Sequence, residues 1–388
     1  MAEIPTSKSI QEGAAKIDDD DERPCKISRT SSFIANLPGD CLNLIFKCLE
    51  TKVDRNSFGL TCHDWLRIQS NNHDTLWYYN KYNEYDPGFY KGKYPKTSPE
   101  NLAKITVRLL FRFQHLKRLS LRGLPVITDF VHPKSPPFGS KVERLFLDRC
   151  SVYSDMQLSF IFSWFPRLTF ITLDSTNITD KGLEALAKCC SSLETVHLPR
   201  CCSITDSGLG SLIRNCRELR ILDIDYCNSI TGTGFMGCAR TLTHLYASVC
   251  KLTPEGINAV VSGGGLRYLY LRMISRGDDV VEVEEECTIN TEAVITISIG
   301  CPLLKELSLP NCEEVELEGW EAIGQNCKEL EHLHVMGCQK LCDKGLLAIS
   351  DGCNKLSELY VDKDKHSCSV FALELFELRN PRVMYLWP

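Results

Sequence analysis

Several features that would place the 388-residue chain at once are missing from it. No run of apolar residues is long enough to cross a bilayer, so no membrane partner is expected. Positive charge is not in excess. Lys and Arg number 44 against 50 Asp and Glu, a formal charge of −6, which argues against a protein that coats nucleic acid or an anionic membrane. Residues Met1 to Glu22 lack a basic segment followed by an apolar core, so a location in the cytoplasm or nucleus is expected. No Cys-x-x-Cys occurs, although there are 21 cysteines. In a reducing compartment so many thiols need metal binding or use as small buried hydrophobes, and the missing paired spacing favours the second. Gly-rich phosphate loops, a Gly-x-Ser-x-Gly elbow and a His-Glu-x-x-His helix are absent too. No catalytic residue, metal or cofactor is therefore expected.

What is present is a repeat. The residues Leu119, Leu145, Ile171, Val196, Leu222, Leu245, Leu269, Leu307, Leu333 and Leu359 each have an apolar or small residue two positions on. The steps between them are 26, 26, 25, 26, 23, 24, 38, 26 and 26 residues, by subtraction. The alternation is a short strand with one buried face. A helix follows: in 178–190, Leu183, Leu186, Ala187 and Cys190 fall at i, i+3, i+4 and i+7. Thr179 or Asp180 can cap it, Asp206 and Asp343 open equivalent segments, and Thr253 before Pro254 does the same. Units of this kind cannot bury their apolar faces alone, so they stack.

The repeat accounts for most cysteines. Cys190, Cys216, Cys301, Cys327 and Cys353 close helices, and Cys150, Cys201, Cys227, Cys250, Cys312 and Cys338 end strands. Each is expected to meet its counterpart one layer away. The unit Cys-x-x-Leu-x-x-Leu-x-Leu-x-x-Cys, followed by Ile-Thr-Asp-x-Gly-Leu, resembles the cysteine-containing class of leucine-rich repeats. Residues 191–206 and 302–316 show it well; 151–162 and 229–238 are looser copies. The resemblance implies a right-handed α/β solenoid, a horseshoe with a concave parallel sheet and outer helices, over 114–362.

Before the repeats, 1–32 is polar and reads as a disordered tail. In 33–70, Leu42, Ile45, Phe46 and Leu49 form a helical stripe behind Pro38, and Asp54 can cap a second helix carrying Phe58, Leu60, Cys62, Trp65 and Leu66. The order Leu37-Pro38, Asp40, Leu42, Ile45-Phe46, Leu49, Asp54, Leu60, Cys62, Trp65 is similar to the F-box, a small all-α unit. Residues 57–66 look especially like plant F-box and leucine-rich-repeat proteins. The resemblance implies docking on a Skp1-like adaptor through Leu37, Pro38, Leu42, Ile45, Phe46 and Leu49. Through that adaptor it implies assembly with a cullin–RING ubiquitin ligase, as the non-catalytic receptor for a protein substrate. The alternatives are an N-terminal cap built from the same residues, a repeat scaffold acting without any ligase, and a small-molecule receptor. Residues 71–113, rich in tyrosine and lysine at Tyr78 to Ser98, read as a junction, and 363–388 as a C-terminal cap.

The strand period also points to a binding face. Residues flanking the buried pair face the concavity. His197, His244, Tyr246, Tyr268, Tyr270, His332 and His334 are the candidate substrate contacts, with Asp148, Asp174, Asp225 and Asp362 alongside. A substrate with an apolar or aromatic anchor and flanking Lys or Arg is expected, against the plainer reading of a solvated inner face. His332 and His334 lie two apart on one strand, but no third metal ligand accompanies them. The 38-residue step carries an acidic insertion over 272–287, a second candidate for partner contacts.

Overall fold

In the computed structural model the described residues are 37–79, 99–123, 127, 141–272, 289–362, 367–381 and 383–386. The polar tail, most of the tyrosine-rich junction and nearly all of the acidic insertion lie outside them. The chain divides into two compact units, 1–68 and 69–388.

The first unit is helical. Its helices are α1 (Gly39–Cys48), α2 (Lys52–Gly59) and the opening of α3 (His63–Asn71). Leu42, Phe46, Phe58 and Ile68 form its core, with Leu37, Leu49 and Trp65 packed against them. Phe58 stacks on Trp65 at 4.2 Å, and Phe46 meets Phe58 edge-on at 5.2 Å. These aromatic contacts brace a core too small to be secured by area alone. Two expectations are corrected here. Asp54 is not the cap of α2: Thr51 is, accepting the Asp54 N–H at 3.1 Å and donating its hydroxyl to the Asp54 carboxylate at 2.6 Å. The expected single second helix is two helices, because the chain leaves helical geometry between Gly59 and His63. Leu60 stands 85% exposed in that break.

The second unit is one twelve-stranded parallel sheet in strict sequence order. Its strands are β1 (Thr75–Tyr79), β2 (Arg118–Arg122), β3 (Arg144–Phe146), β4 (Phe170–Thr172), β5 (Thr195–His197), β6 (Ile221–Asp223), β7 (His244–Tyr246), β8 (Tyr268–Tyr270), β9 (Glu306–Ser308), β10 (His332–His334), β11 (Glu358–Tyr360) and β12 (Met384–Leu386). Leu119, Leu145, Ile171, Val196, Leu222, Leu245, Leu269, Leu307, Leu333 and Leu359 pair in register along it. Each is fully buried. The sheet runs beyond the leucine series at both ends. Thr75–Tyr79, read from sequence as junction, pairs with β2, and Met384–Leu386 pairs with β11. This is a leucine-rich-repeat solenoid with helices outside the sheet.

The turns after β2 to β7, β9 and β10 are each made by one residue in left-handed backbone: Gly123, Arg149, Ser175, Arg200, Tyr226, Val249, Asn311 and Gly337 have φ between 55° and 76°. In seven of these the corner aims that residue's N–H at a backbone carbonyl of the next layer, as in Arg149 to Asp174 at 2.7 Å and Arg200 to Asp225 at 2.8 Å, while Gly337 uses the Asp362 carboxylate. The cysteine that follows turns inward. Its thiol donates to a carbonyl of the preceding layer: Cys150 to Leu121, Cys201 to Leu173, Cys227 to Leu198, Cys250 to Ile224 and Cys338 to Leu309, at 3.1–3.2 Å. The cysteines are therefore small hydrophobes that also satisfy a buried acceptor. Burial pushes the Cys216 thiol up to about 11 and that of Cys250 up to about 12. Neutral thiols of this kind are poor metal ligands.

Helix α4 (Pro99–Arg112) precedes β2, and helices α5 (Asp155–Trp164), α6 (Asp180–Cys189) and α7 (Asp206–Asn215) follow β3, β4 and β5. Within the short 23-residue step the looser copy at 229–238 makes only a 3₁₀ turn, Thr233–Phe235, opened by Gly232 at φ 95°. An added Cβ on Gly234 would meet the backbone of Asp206, so this layer approaches its neighbour by backbone.

Candidate functional site

The inner face of the sheet carries two columns of side chains. The first runs Arg118, Arg144, Phe170, Thr195, Ile221, His244, Tyr268, Glu306, His332, Glu358. The second runs Ser120, Phe146, Thr172, His197, Asp223, Tyr246, Tyr270, Ser308, His334, Tyr360 in the same layers. All seven candidate substrate residues lie in these columns, half-buried. Parallel register places like positions one layer apart, so rings in adjacent layers stack. His244 lies on Tyr268 at 4.2 Å, Tyr246 on Tyr270 at 4.5 Å, and His334 on Tyr360 at 3.9 Å, all within 10° of coplanar.

The histidines are held by carboxylates. His197 Nδ1 lies 3.1 Å from Asp223, His332 Nδ1 2.9 Å from Glu358, and His334 Nε2 3.2 Å from Glu306. Tyr360 donates to Glu358 at 2.9 Å. Hydrogen bonds from His332 and Tyr360 hold Glu358 below the usual carboxylate range. Burial lowers His334 despite the attraction of Glu306, and burial lowers His244 as well. Burial, followed by the charge on Glu306, pushes the Tyr270 phenol well above its ordinary value. Around β8–β11 the face is thus a hydrogen-bonded aromatic surface whose charge comes from glutamates. Among the described residues no group of three or more His, Cys, Asp or Glu is placed to hold a metal. His332 and His334 each bind a glutamate instead.

Sequence reading missed those glutamates, although the 26-residue step already sets His332 beside Glu358 and His197 beside Asp223. The acids it did single out are engaged within the fold. Asp148 accepts the Thr172 hydroxyl at 2.6 Å, and Asp174 binds Arg200 at 2.7 Å. Asp225 accepts the Ser248 N–H at 2.7 Å, and Asp362 accepts that of Gly337. Also unforeseen is a depression of about 330 Å³ over β3–β7, lined by Arg144, Phe170, Thr195, His197, Ile221 and Tyr246 among others. It forms where the first column drops from Phe170 to Thr195 and Ile221 before rising to His244.

In the helical unit the six candidate adaptor contacts separate. Leu42 and Phe46 are 3% and 5% exposed and hold α1 in the core. Leu37 and Leu49 are half-buried beside them, while Pro38 and Ile45 are exposed. Leu44 and Val53, together with Leu60 in the interhelical break, add exposed apolar surface that the stripe rule could not find, because they lie off the stripe.

The leucine-rich-repeat family model matches residues 168–187 and 326–350. The chain is 42% identical over 295 residues to F-box/LRR-repeat protein 12 of Arabidopsis thaliana, covering 72% of this chain and 74% of that protein. Among solved structures, it is similar to a chain of the yeast Rad7 and Elc1 complex, with TM-score 0.46, 16% identity and coverage of 92% and 90% of the two chains. It is also similar to an internalin of Listeria monocytogenes, with TM-score 0.44, 14% identity and coverage of 71% and 68%.

Proposed function

This chain belongs to the F-box/LRR-repeat family, and from that premise we propose that it is the substrate receptor of an SCF-type ubiquitin ligase. The helical unit docks on a Skp1-like adaptor, which links it to a cullin–RING ligase. The inner face of the solenoid captures a protein substrate. The chain contributes recognition, and the chemistry of ubiquitin transfer resides in the other subunits. It works in the cytoplasm or nucleus, where its buried thiols stay reduced.

The observation that carries the reading is the 42% identity to a protein named for both parts, across most of its length. The helical unit supports it: Leu44, Ile45, Val53 and Leu60 are all exposed on a unit with a small core, the condition in which apolar side chains serve a partner. The inner face supports it by concentrating aromatic residues of the kind that dominate interfaces.

Copurification of the full chain with a Skp1-like adaptor tests the proposal. Wild type retains the adaptor. Ile45→Asp, at an exposed position, loses it while keeping the wild-type circular dichroism spectrum. Failure of the wild type to retain the adaptor contradicts the reading.

A further inference from the structure

The depression over β3–β7 has a chemistry more specific than a general binding face. Its base is Thr195 and Ile221, half-buried neighbours in the first column. Phe170 walls it on one side and Tyr246 on the other. Arg144 lies over the outer face of Phe170, 4.1 Å from the ring centroid, and fixes that wall. The gap between the two aromatic walls spans β5 and β6, two strands about 5 Å apart. The walls thus stand three strand spacings apart, about 14 Å, which leaves room for one side-chain ring lying over β5 and β6.

His197 adds direction. Asp223 uses Oδ1 to accept its own chain's Asp225 N–H at 3.1 Å and Oδ2 to meet His197 Nδ1 at 3.1 Å. A carboxylate can only accept, so the proton of this pair sits on Nδ1. In the neutral ring with its proton on Nδ1, Nε2 is an acceptor, and it takes no partner among the described residues. A half-buried acceptor between apolar walls selects a ligand that brings a donor with its apolar surface.

We propose that this depression seats one aromatic side chain carrying a hydrogen-bond donor, a tryptophan or tyrosine of the captured protein, between Phe170 and Tyr246 with its N–H or O–H on His197 Nε2. The proposal rests on the reading of the inner face as a substrate surface and sharpens it. The anchor lies over β5 and β6, directly before the tyrosine and histidine stacks of β7 and β8, which bound its far side.

The test uses the full chain labelled at isoleucine methyl groups, with indole and 1-methylindole as probes. The Ile221 methyl signal is assigned through Ile221→Val. Indole is expected to shift that signal saturably. 1-Methylindole, which has the same ring but no donor, is expected to bind about fivefold more weakly, the worth of one net hydrogen bond. Thr195→Trp fills the base and is expected to abolish the shift. No saturable shift at Ile221, equal affinities for the two probes, or a shift that survives Thr195→Trp would each overturn the proposal. The probe comparison needs no variant that could misfold. The titration also does not involve the adaptor: loss of adaptor binding with intact indole binding removes the ligase reading alone, and the converse removes this inference alone.

Discussion

Asp180, the first residue of α6, accepts two hydrogen bonds from Thr205 of the next layer, the N–H at 2.7 Å and the hydroxyl at 2.6 Å. Thr205 is itself the cap of α7, accepting the Ser207 N–H. The same link joins Asp155 to Thr179, Asp206 to Thr231 and Asp343 to Ser369. An aspartate at a helix start thus fixes the start of its successor rather than its own. Asp180→Ala should lower stability by about 1 kcal/mol, the scale of a lost cap. Urea denaturation measures it, and an unchanged midpoint would show the ladder to be idle.

The glycine of the Thr-Asp-x-Gly unit follows from the same contact. A Cβ on Gly208 would lie 2.5 Å from the Asp180 carboxylate and 2.9 Å from its Cα. Gly208→Ala should cost about 2 kcal/mol through overpacking. Combined with Asp180→Ala the two losses should fall short of additive, since the first substitution already displaces the carboxylate. Denaturation of the two single variants and the double variant gives the coupling; strict additivity would exclude the shared contact.

Val249 occupies the left-handed corner at φ 60°, where most layers place a residue without a β-branch. Left-handed backbone costs an L-residue roughly 1–2 kcal/mol, and a β-branched residue is least suited to it. Val249→Asn should therefore raise the urea midpoint, by about 1 kcal/mol of stability. A lower midpoint would mean that packing of the valine side chain outweighs its strain.

These contacts mark the limit of what the sequence carries. Leu119 to Leu359 announce the strands because their signal is local: two apolar residues, a fixed step and a capped helix. The role of Asp180 was not legible, because its partner is 25 residues away and Thr179 offers a plausible local cap. The strand at Thr75–Tyr79 was hidden because it precedes the leucine series, outside the repeat that would have aligned it. Leu42 and Phe46 were read with Ile45 as one contact surface because a stripe identifies a buried face without saying what buries it. Here the unit's own Phe58 and Ile68 do. The inner columns were readable from strand period alone, whereas the depression required the register that sets Thr195 and Ile221 between larger neighbours.

Burial lowers His244 and His334, so folding favours their neutral forms. The unfolded chain then binds more protons at mildly acidic pH, and stability rises with pH. The contribution is fully present above the unfolded value of about 6.5 and is lost as pH falls through the folded values. His334→Gln, which keeps a donor for Glu306, should flatten the fall in stability between about pH 7 and pH 5. Midpoints that do not respond to pH in the wild type would contradict this.

The thiols should divide sharply by reactivity. Cys41, Cys48, Cys62 and Cys202 are exposed, whereas Cys216, Cys227 and Cys250 are buried. Burial raises all three of the latter, so the thiolate that reacts is scarce as well as shielded. Brief iodoacetamide treatment of the native chain, read by mass spectrometry, should modify the exposed group and leave these three until the chain unfolds. Modification of Cys227 in the native chain would contradict the hydrogen-bonded column.

In the proposed function one chain joins an adaptor to a substrate. The most direct measurement is proximity labelling in cells with three forms of the full chain: wild type, Ile45→Asp, and Ile45→Asp combined with Tyr246→Ala and Tyr270→Ala. Ile45→Asp should lose the Skp1-like adaptor and accumulate a set of proteins over wild type, because captured substrates are no longer passed on for degradation. The combined variant should lose that set. If Ile45→Asp keeps the adaptor, or the accumulated set is unchanged when both tyrosines are removed, the account is contradicted.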